Sequence, residues 1–166
     1  MKVVLMMAQS VDGIVARDQD HFTEWTCSSD KRLFKRITRD AGVLVMGSRT
    51  YATIGKPLPG RLNVVYTRHP ERLPHGEGLL LTQSAPRDLL NDLKARGYDK
   101  VVLAGGPMIN SLFARDRLID EILLTVSPRI FGRGMTLFSE SLDLSLSLIK
   151  TDRLDHDTML LQYRVL

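Results

Sequence analysis

"AGVLVMGSRTYATIGKPLPGRLNVVYT", residues 41–67, decides the architecture. Its opening "AGVLVMG" (41–47) is an apolar run closed by glycine, as expected of a strand buried on both faces. "SRTYATI" (48–54) reads as a short helix and "LNVVYT" (62–67) as a further buried strand. Between them stands "IGKPLPGR" (54–61), in which Pro57 and Pro59 fix their own backbone angles and Gly60 permits a tight bend. Arg61 is therefore held at a defined place as the next strand begins. A guanidinium so presented suits bidentate capture of a carboxylate, although a plain proline-rich turn ending in a solvated arginine has the same sequence.

The alternation continues outward. "KVVLMMAQ" (2–9) is another doubly buried run, which "SVDG" (10–13) breaks. From Val11 to Cys27 the chain is polar and irregular, a long loop of the kind that covers an active site or is disordered; Trp25 favours a cover. Ser28 and Ser29 are placed to cap a helix running to about Asp40, with Leu33, Phe34 and Ile37 as its apolar stripe. "GLLLT" (78–82) is a strand, and Ser84 with Pro86 opens a helix that Gly97 ends, with Leu89, Leu90 and Leu93 on one face. "KVVLAGG" (100–106), "PMINSLFAR" (107–115) and "EILLTVSP" (121–128) repeat strand, helix, strand. The tail changes character: "LSLSLIK" (144–150) and "TMLLQYRV" (158–165) alternate with period two around "TDRLDHD" (151–157), the pattern of an antiparallel pair with one solvated face. The expectation is an α/β fold on a mixed sheet, one domain over residues 1–166, without repeats or an interdomain linker.

Composition narrows the function classes. A chain of 166 residues, 43% hydrophobic and 25% charged, has core enough to fold without a metal or disulfide staple. Cys27 stands alone and cannot form an internal bridge, which implies a reducing, cytoplasmic setting and an inert thiol. No basic N-terminal segment leads into a cleavable apolar run, and no stretch is long enough to cross a bilayer, so no membrane partner is expected. His21, His69, His75 and His156 show no metal-ligand spacing with one another or with Cys27, so no metal site is expected. The net charge of +4 suits small anions such as phosphorylated cofactors. The cations of "KRLFKRITR" (31–39) alternate with apolar residues as on a solvated helix face. With 6% aromatic residues there is no interleaved basic and aromatic surface for nucleic acid.

Asp30 precedes Leu33, Phe34 and Ile37 by three, four and seven residues, which puts a carboxylate on the helix face that is otherwise buried. Desolvation there would raise its pKa and prepare it to exchange a proton. A first-turn acid that only complements the helix dipole has the same spacing. "VLVMG" runs into the helix of Ser48, Arg49 and Thr50, and "VVLAGG" into the helix at Pro107. Glycine at such junctions lets backbone amides approach a phosphate, or simply makes a tight turn; neither junction is a GxGxxG fingerprint. Arg49 and Arg68 follow the C-terminal ends of adjacent strands, where open α/β sheets bind ligands, so a phosphate clamp and lone surface arginines both fit.

"SSDKRLFKRIT" (28–38), "VMGSRTYATIGKPLPGR" (45–61) and "NVVYTR" (63–68) resemble dihydrofolate reductase in order and near spacing. Trp25, "LAGGPMI" (103–109), Thr125 and Thr136 extend the resemblance over most of the chain. It implies a three-layer dihydrofolate reductase-like fold: a central mixed, mostly parallel sheet flanked by helices, with an antiparallel C-terminal hairpin. It further implies NADPH-dependent reduction of 7,8-dihydrofolate to tetrahydrofolate by a monomer or homodimer. By the same resemblance Asp30 bonds the amino-pyrimidine edge of the pterin and promotes ring protonation, Thr125 supports that contact, and Trp25 helps close the pocket. Phe34, Ile54 and Leu58 correspond to residues packing on the pterin and benzoyl groups, and Arg61 to the arginine gripping the glutamate carboxylate.

For NADPH, the resemblance implies that Gly47, Ser48, Arg49 and Thr50 form the phosphate-contacting helix start, and Thr67 and Arg68 the adenosine 2′-phosphate site. Gly105 and Gly106, with Ile109 in the same motif, correspond to a paired-glycine turn beside the nicotinamide and pyrophosphate. Ala8, shared with the substrate, and Val15 and Thr136 correspond to the nicotinamide pocket. "SVDG" (10–13), "AGGP" (104–107) and "SPRIFGRGMTLF" (127–138) look more like the pyrimidine reductases of riboflavin synthesis, which share the fold and reduce a diamino-ribosylamino-pyrimidinone 5′-phosphate with NADPH. Glu24 also stands where many folate enzymes have proline. The presence of both Asp30 and Arg61 tips the expectation toward folate.

Overall fold

Short runs of branched apolar residues make the strands, because only a ladder with both faces covered buries such side chains completely. In the computed structural model, which describes residues 1–18 and 23–166, these runs are β1 (Lys2–Ser10), β2 (Val43–Gly47), β3 (Leu62–Tyr66), β4 (Leu79–Thr82) and β5 (Lys100–Leu103). Residues 19–22, inside the expected 11–27 loop and including His21, lie outside the described residues. β6 (Glu121–Ser127), β7 (Leu146–Arg153) and β8 (Met159–Val165) complete one eight-stranded sheet in the order β4-β3-β2-β5-β1-β6-β8-β7. The first six of that order pair in parallel, and β8 and β7 are antiparallel. This is the expected mixed sheet.

Among the described residues four α-helices flank it. α1 (Ser28–Ala41) and α2 (Ser48–Ile54) bring Leu33, Ala41 and Tyr51 against Val4, Met6, Leu44, Met46 and Val65 on one face. α3 (Pro86–Ala95) and α4 (Pro107–Arg115) bring Leu89, Leu93 and Phe113 against Val3, Leu5, Val43 and Val64 on the other. Among the described residues no helix is long and apolar enough to cross a membrane.

Two boundaries and one burial pattern differ from expectation. Cys27, not a serine, is the N-cap of α1: its sulfur accepts the Asp30 N–H at 3.4 Å. The hairpin turn lies later than "TDRLDHD" suggests, since Thr151, Asp152 and Arg153 still pair with Leu161, Leu160 and Met159. β7 is also exposed along nearly all its length rather than on one face, and it is an edge strand of the sheet.

Candidate active site

The C-terminal ends of β1, β2 and β3 open into a cleft of about 1190 Å³, larger than the usual pocket for one small ligand and suited to two side by side. Asp30, Trp25, Phe34, Ile54, Leu58 and Arg61 all line it. Ala8 and Val15 line it as well, as do Gly47, Ser48, Arg49 and Thr50, then Thr67 and Arg68, then Gly106 and Ile109. Residues scattered from position 8 to 109 thus meet on one surface. Among the described residues no group of three or more His, Cys, Asp or Glu side chains could hold a metal ion.

Three expected residues stand off that wall. Thr125 is 1% exposed and pairs with Ala8 across β6 and β1, one layer behind Asp30. Gly105 is also behind the surface: a Cβ there would lie 2.9 Å from Met7 Sδ, at a φ of +86°. Thr136 is exposed and its hydroxyl donates to the Phe138 carbonyl at 2.7 Å. Its neighbour Met135, which bridges to Ala16, lines the cleft, and Thr136 does not.

Asp30 is 8% exposed, in the first turn of α1, and burial pushes its carboxyl up from 3.8. The hydroxyls of Thr125 and Thr26 and the charge of Lys31 oppose that rise. The Thr125 hydroxyl oxygen is buried and completes no hydrogen bond among the described residues. A carboxyl so placed keeps its proton to a higher pH than a solvated one.

Arg61 also belongs to the interior, at 8% exposed. Burial, followed by the charge of Arg39, lowers its pKa. Its Nη1 donates to the Thr38 hydroxyl, while Nε and Nη2 donate to the Pro59 carbonyl at 3.3 and 3.2 Å. A guanidinium has five N–H groups, so two of them, one on each terminal nitrogen, keep no protein acceptor among the described residues. The proline turn is locked by Asn63, fully buried, whose side chain accepts from the Leu58 N–H and donates to the Leu58 carbonyl, both at 2.9 Å. Sequence inspection missed Thr38 and Asn63. For Asn63 the only signal was a polar residue inside an apolar strand; Thr38, on α1, gave none.

The two glycine junctions touch: the Gly47 N–H donates to the Gly105 carbonyl at 2.8 Å. A Cβ on Gly47 would press Ile109 Cγ1 at 3.2 Å, so the backbone itself forms the wall there. Gly106 caps α4 without any side-chain bond, leaving that helix start open to the cleft beside Pro107 and Met108. Neither Arg49 nor Arg68 forms a salt bridge among the described residues. An uncapped helix start and two unbridged cations are what a phosphorylated ligand needs.

A parallel sheet with an antiparallel hairpin at one edge, carrying a buried acid and paired glycines at its C-terminal rim, defines an oxidoreductase of the dihydrofolate reductase-like superfamily. Within it the chain belongs to the RibD C-terminal domain family, whose model matches residues 1–160. It is 33% identical over 119 residues to dihydrofolate reductase type 3 of Salmonella typhimurium, covering 71% of this chain and 69% of that one. Its fold superposes on RibD of Acinetobacter baumannii with a TM-score of 0.85 and 20% identity, over 99% of this chain and 58% of that one. The Enterococcus faecalis dihydrofolate reductase, solved with NADP(H), gives a TM-score of 0.77 and 21% identity over 99% and 96%.

Proposed function

We propose that the chain reduces 7,8-dihydrofolate with NADPH. One observation carries this: a buried acid and a buried arginine with two open N–H groups line the same cleft. Asp30 would bond the amino-pyrimidine edge of the pterin and hold the proton that the ring takes up. Arg61 would bind the tail carboxylate through the two N–H groups that Thr38 and Pro59 leave open. Phe34, Ile54 and Leu58 supply the apolar walls between them, and Trp25 and Val15 exclude water. The open start of α4, the Gly47 and Gly106 backbone and the cations Arg49 and Arg68 fit the phosphates of NADPH. When bound, NADPH supplies a hydride; the protein supplies position and field.

A second reading has the stronger support from family membership. The RibD family match and the RibD neighbour favour reduction of a ribosylamino-pyrimidine phosphate, and two open guanidinium N–H groups can donate to a phosphate as well as to a carboxylate. NADPH consumption by the purified protein, measured with dihydrofolate and separately with the riboflavin precursor, decides. Turnover of dihydrofolate alone upholds the first reading, turnover of the precursor alone replaces it with the second, and turnover of neither removes both.

A further inference from the structure

The stretch "SPRIFGRGMTLF" (127–138) forms a strap across the outside of the loop that follows β1. The Val11 N–H donates to the Arg129 carbonyl at 2.8 Å and the Val15 N–H to the Met135 carbonyl at 2.8 Å, while the Met135 N–H returns to the Ala16 carbonyl at 2.7 Å. At the middle of this zipper the Asp12 carboxylate accepts the N–H groups of Phe131 at 3.2 Å and Gly132 at 2.7 Å, and the Ser10 hydroxyl. Those bonds, the Ser10 hydroxyl foremost, lower the Asp12 pKa below 3.8 and keep it a charged acceptor at neutral pH.

The strap is mostly exposed, and Ile130 is 75% exposed. Phe131 turns inward. Its ring meets Trp25 edge to face, with centroids 5.2 Å apart and planes at 88°, and the Arg17 guanidinium lies 4.7 Å from the Phe131 centroid. Neither core cluster of the sheet contains Phe131. Its described ring partner, Trp25, lines the cleft and precedes Thr26, whose hydroxyl faces Asp30.

We infer that Phe131 is a positioning residue for this cleft: anchored by Asp12 and clamped by Arg17, its ring props Trp25 against the wall beside Asp30. An edge-to-face aromatic pair has a preferred geometry, so the strap fixes the orientation of the indole as well as its depth. Without the ring, Trp25 gains room to turn outward and water gains a path to Asp30. The kinetic part of this inference rests on the reductase function proposed above; the contact itself does not.

Trp25 is the chain's sole tryptophan, so its emission reports this contact without a label. Phe131→Ala, Phe131→Tyr and Asp12→Asn would be compared with the wild-type protein by circular dichroism, Trp emission, collisional quenching and reductase kinetics. In folded Phe131→Ala the emission should move to the red, quenching should increase, and kcat/KM should fall about tenfold or more. Phe131→Tyr, which keeps the ring, should restore all three, and Asp12→Asn should shift the emission in the same direction as Phe131→Ala. Unchanged emission and quenching in folded Phe131→Ala, or a Phe131→Tyr protein as impaired as Phe131→Ala, would overturn the inference. So would an altered emission with undiminished kcat/KM. If Phe131→Ala does not fold, Asp12→Asn carries the test alone, and wild-type emission in it overturns the inference. Should the protein reduce neither substrate, the emission measurement still decides the Phe131–Trp25 contact, so the two failures are distinguishable.

Discussion

Replacing Asp30 by Asn separates what the buried acid does for the reaction from what it does to the fold, because the two effects have opposite signs. Losing a positioned proton-exchanging group lowers turnover by about 100-fold, equivalent to about 2.7 kcal/mol of barrier. For the fold, burial is the largest influence on the carboxyl and raises its pKa above 3.8, against Thr125, Thr26 and Lys31. An acid whose folded pKa exceeds its unfolded value binds more protons when folded in the interval between them. Stability therefore falls as pH rises from 3.8 through the folded pKa, and stays lower above it. Asn has the same shape and no charge to desolvate. Asp30→Asn should thus melt at a higher temperature than the wild type at neutral pH, with a margin that shrinks as pH is lowered through that interval. Thermal melts across pH, run beside NADPH consumption, read both effects. A variant with normal turnover removes Asp30 from the reaction. A variant less stable than the wild type at neutral pH removes desolvation as the dominant influence on this carboxyl.

Arg61→Leu should raise the KM for dihydrofolate about 10- to 100-fold, the scale of lost charge-assisted hydrogen bonds, and leave a pterin without the glutamate nearly unaffected; equal losses on both would refute tail capture. Arg49→Ala combined with Arg68→Ala should cut the preference for NADPH over NADH about tenfold or more, read from the ratio of kcat/KM values, and an unchanged ratio places the 2′-phosphate elsewhere. In Gly134→Ala the new Cβ would overlap the Ala16 carbonyl oxygen and lie 2.5 Å from Ile14 Cγ2, so the strap must lift from the loop. A destabilisation of about 1–3 kcal/mol is expected from such overpacking, measured by denaturant unfolding, and a neutral substitution would mean that strap and loop are not packed together.

Much of the fold was legible because the central strands are buried on both faces, and a ladder of that kind needs apolar residues at every position: Val43, Leu44, Val45 and Met46 are all fully buried. The same logic fails at the edge. Thr151, Asp152 and Arg153 extend β7 although they read as a turn, since a strand with water on most sides needs no alternation. Capping by Cys27 escaped notice for a local reason: sulfur is a weak acceptor and the two serines beside it are better ones.

At the site the division is different. Helical spacing told that Asp30 shares a face with Leu33, but not that Thr125 stands behind it, which requires β6 to lie beside β1. The proline turn told that Arg61 is fixed. It did not tell that Thr38, 23 residues earlier on α1, and the carbonyl of Pro59 take three of its donors. Thr136 and Met135 differ by a single step of register, set by the Ala16–Met135 bridge and invisible until strap and loop are placed together. Local pattern assigns a side chain to a face; chemistry depends on what the opposite element brings to that face. For this cleft the consequence is specific. Asp30 and Arg61 could each be explained separately as a helix-dipole acid and a turn arginine, and only the assembled fold shows that both are buried and line the same cleft.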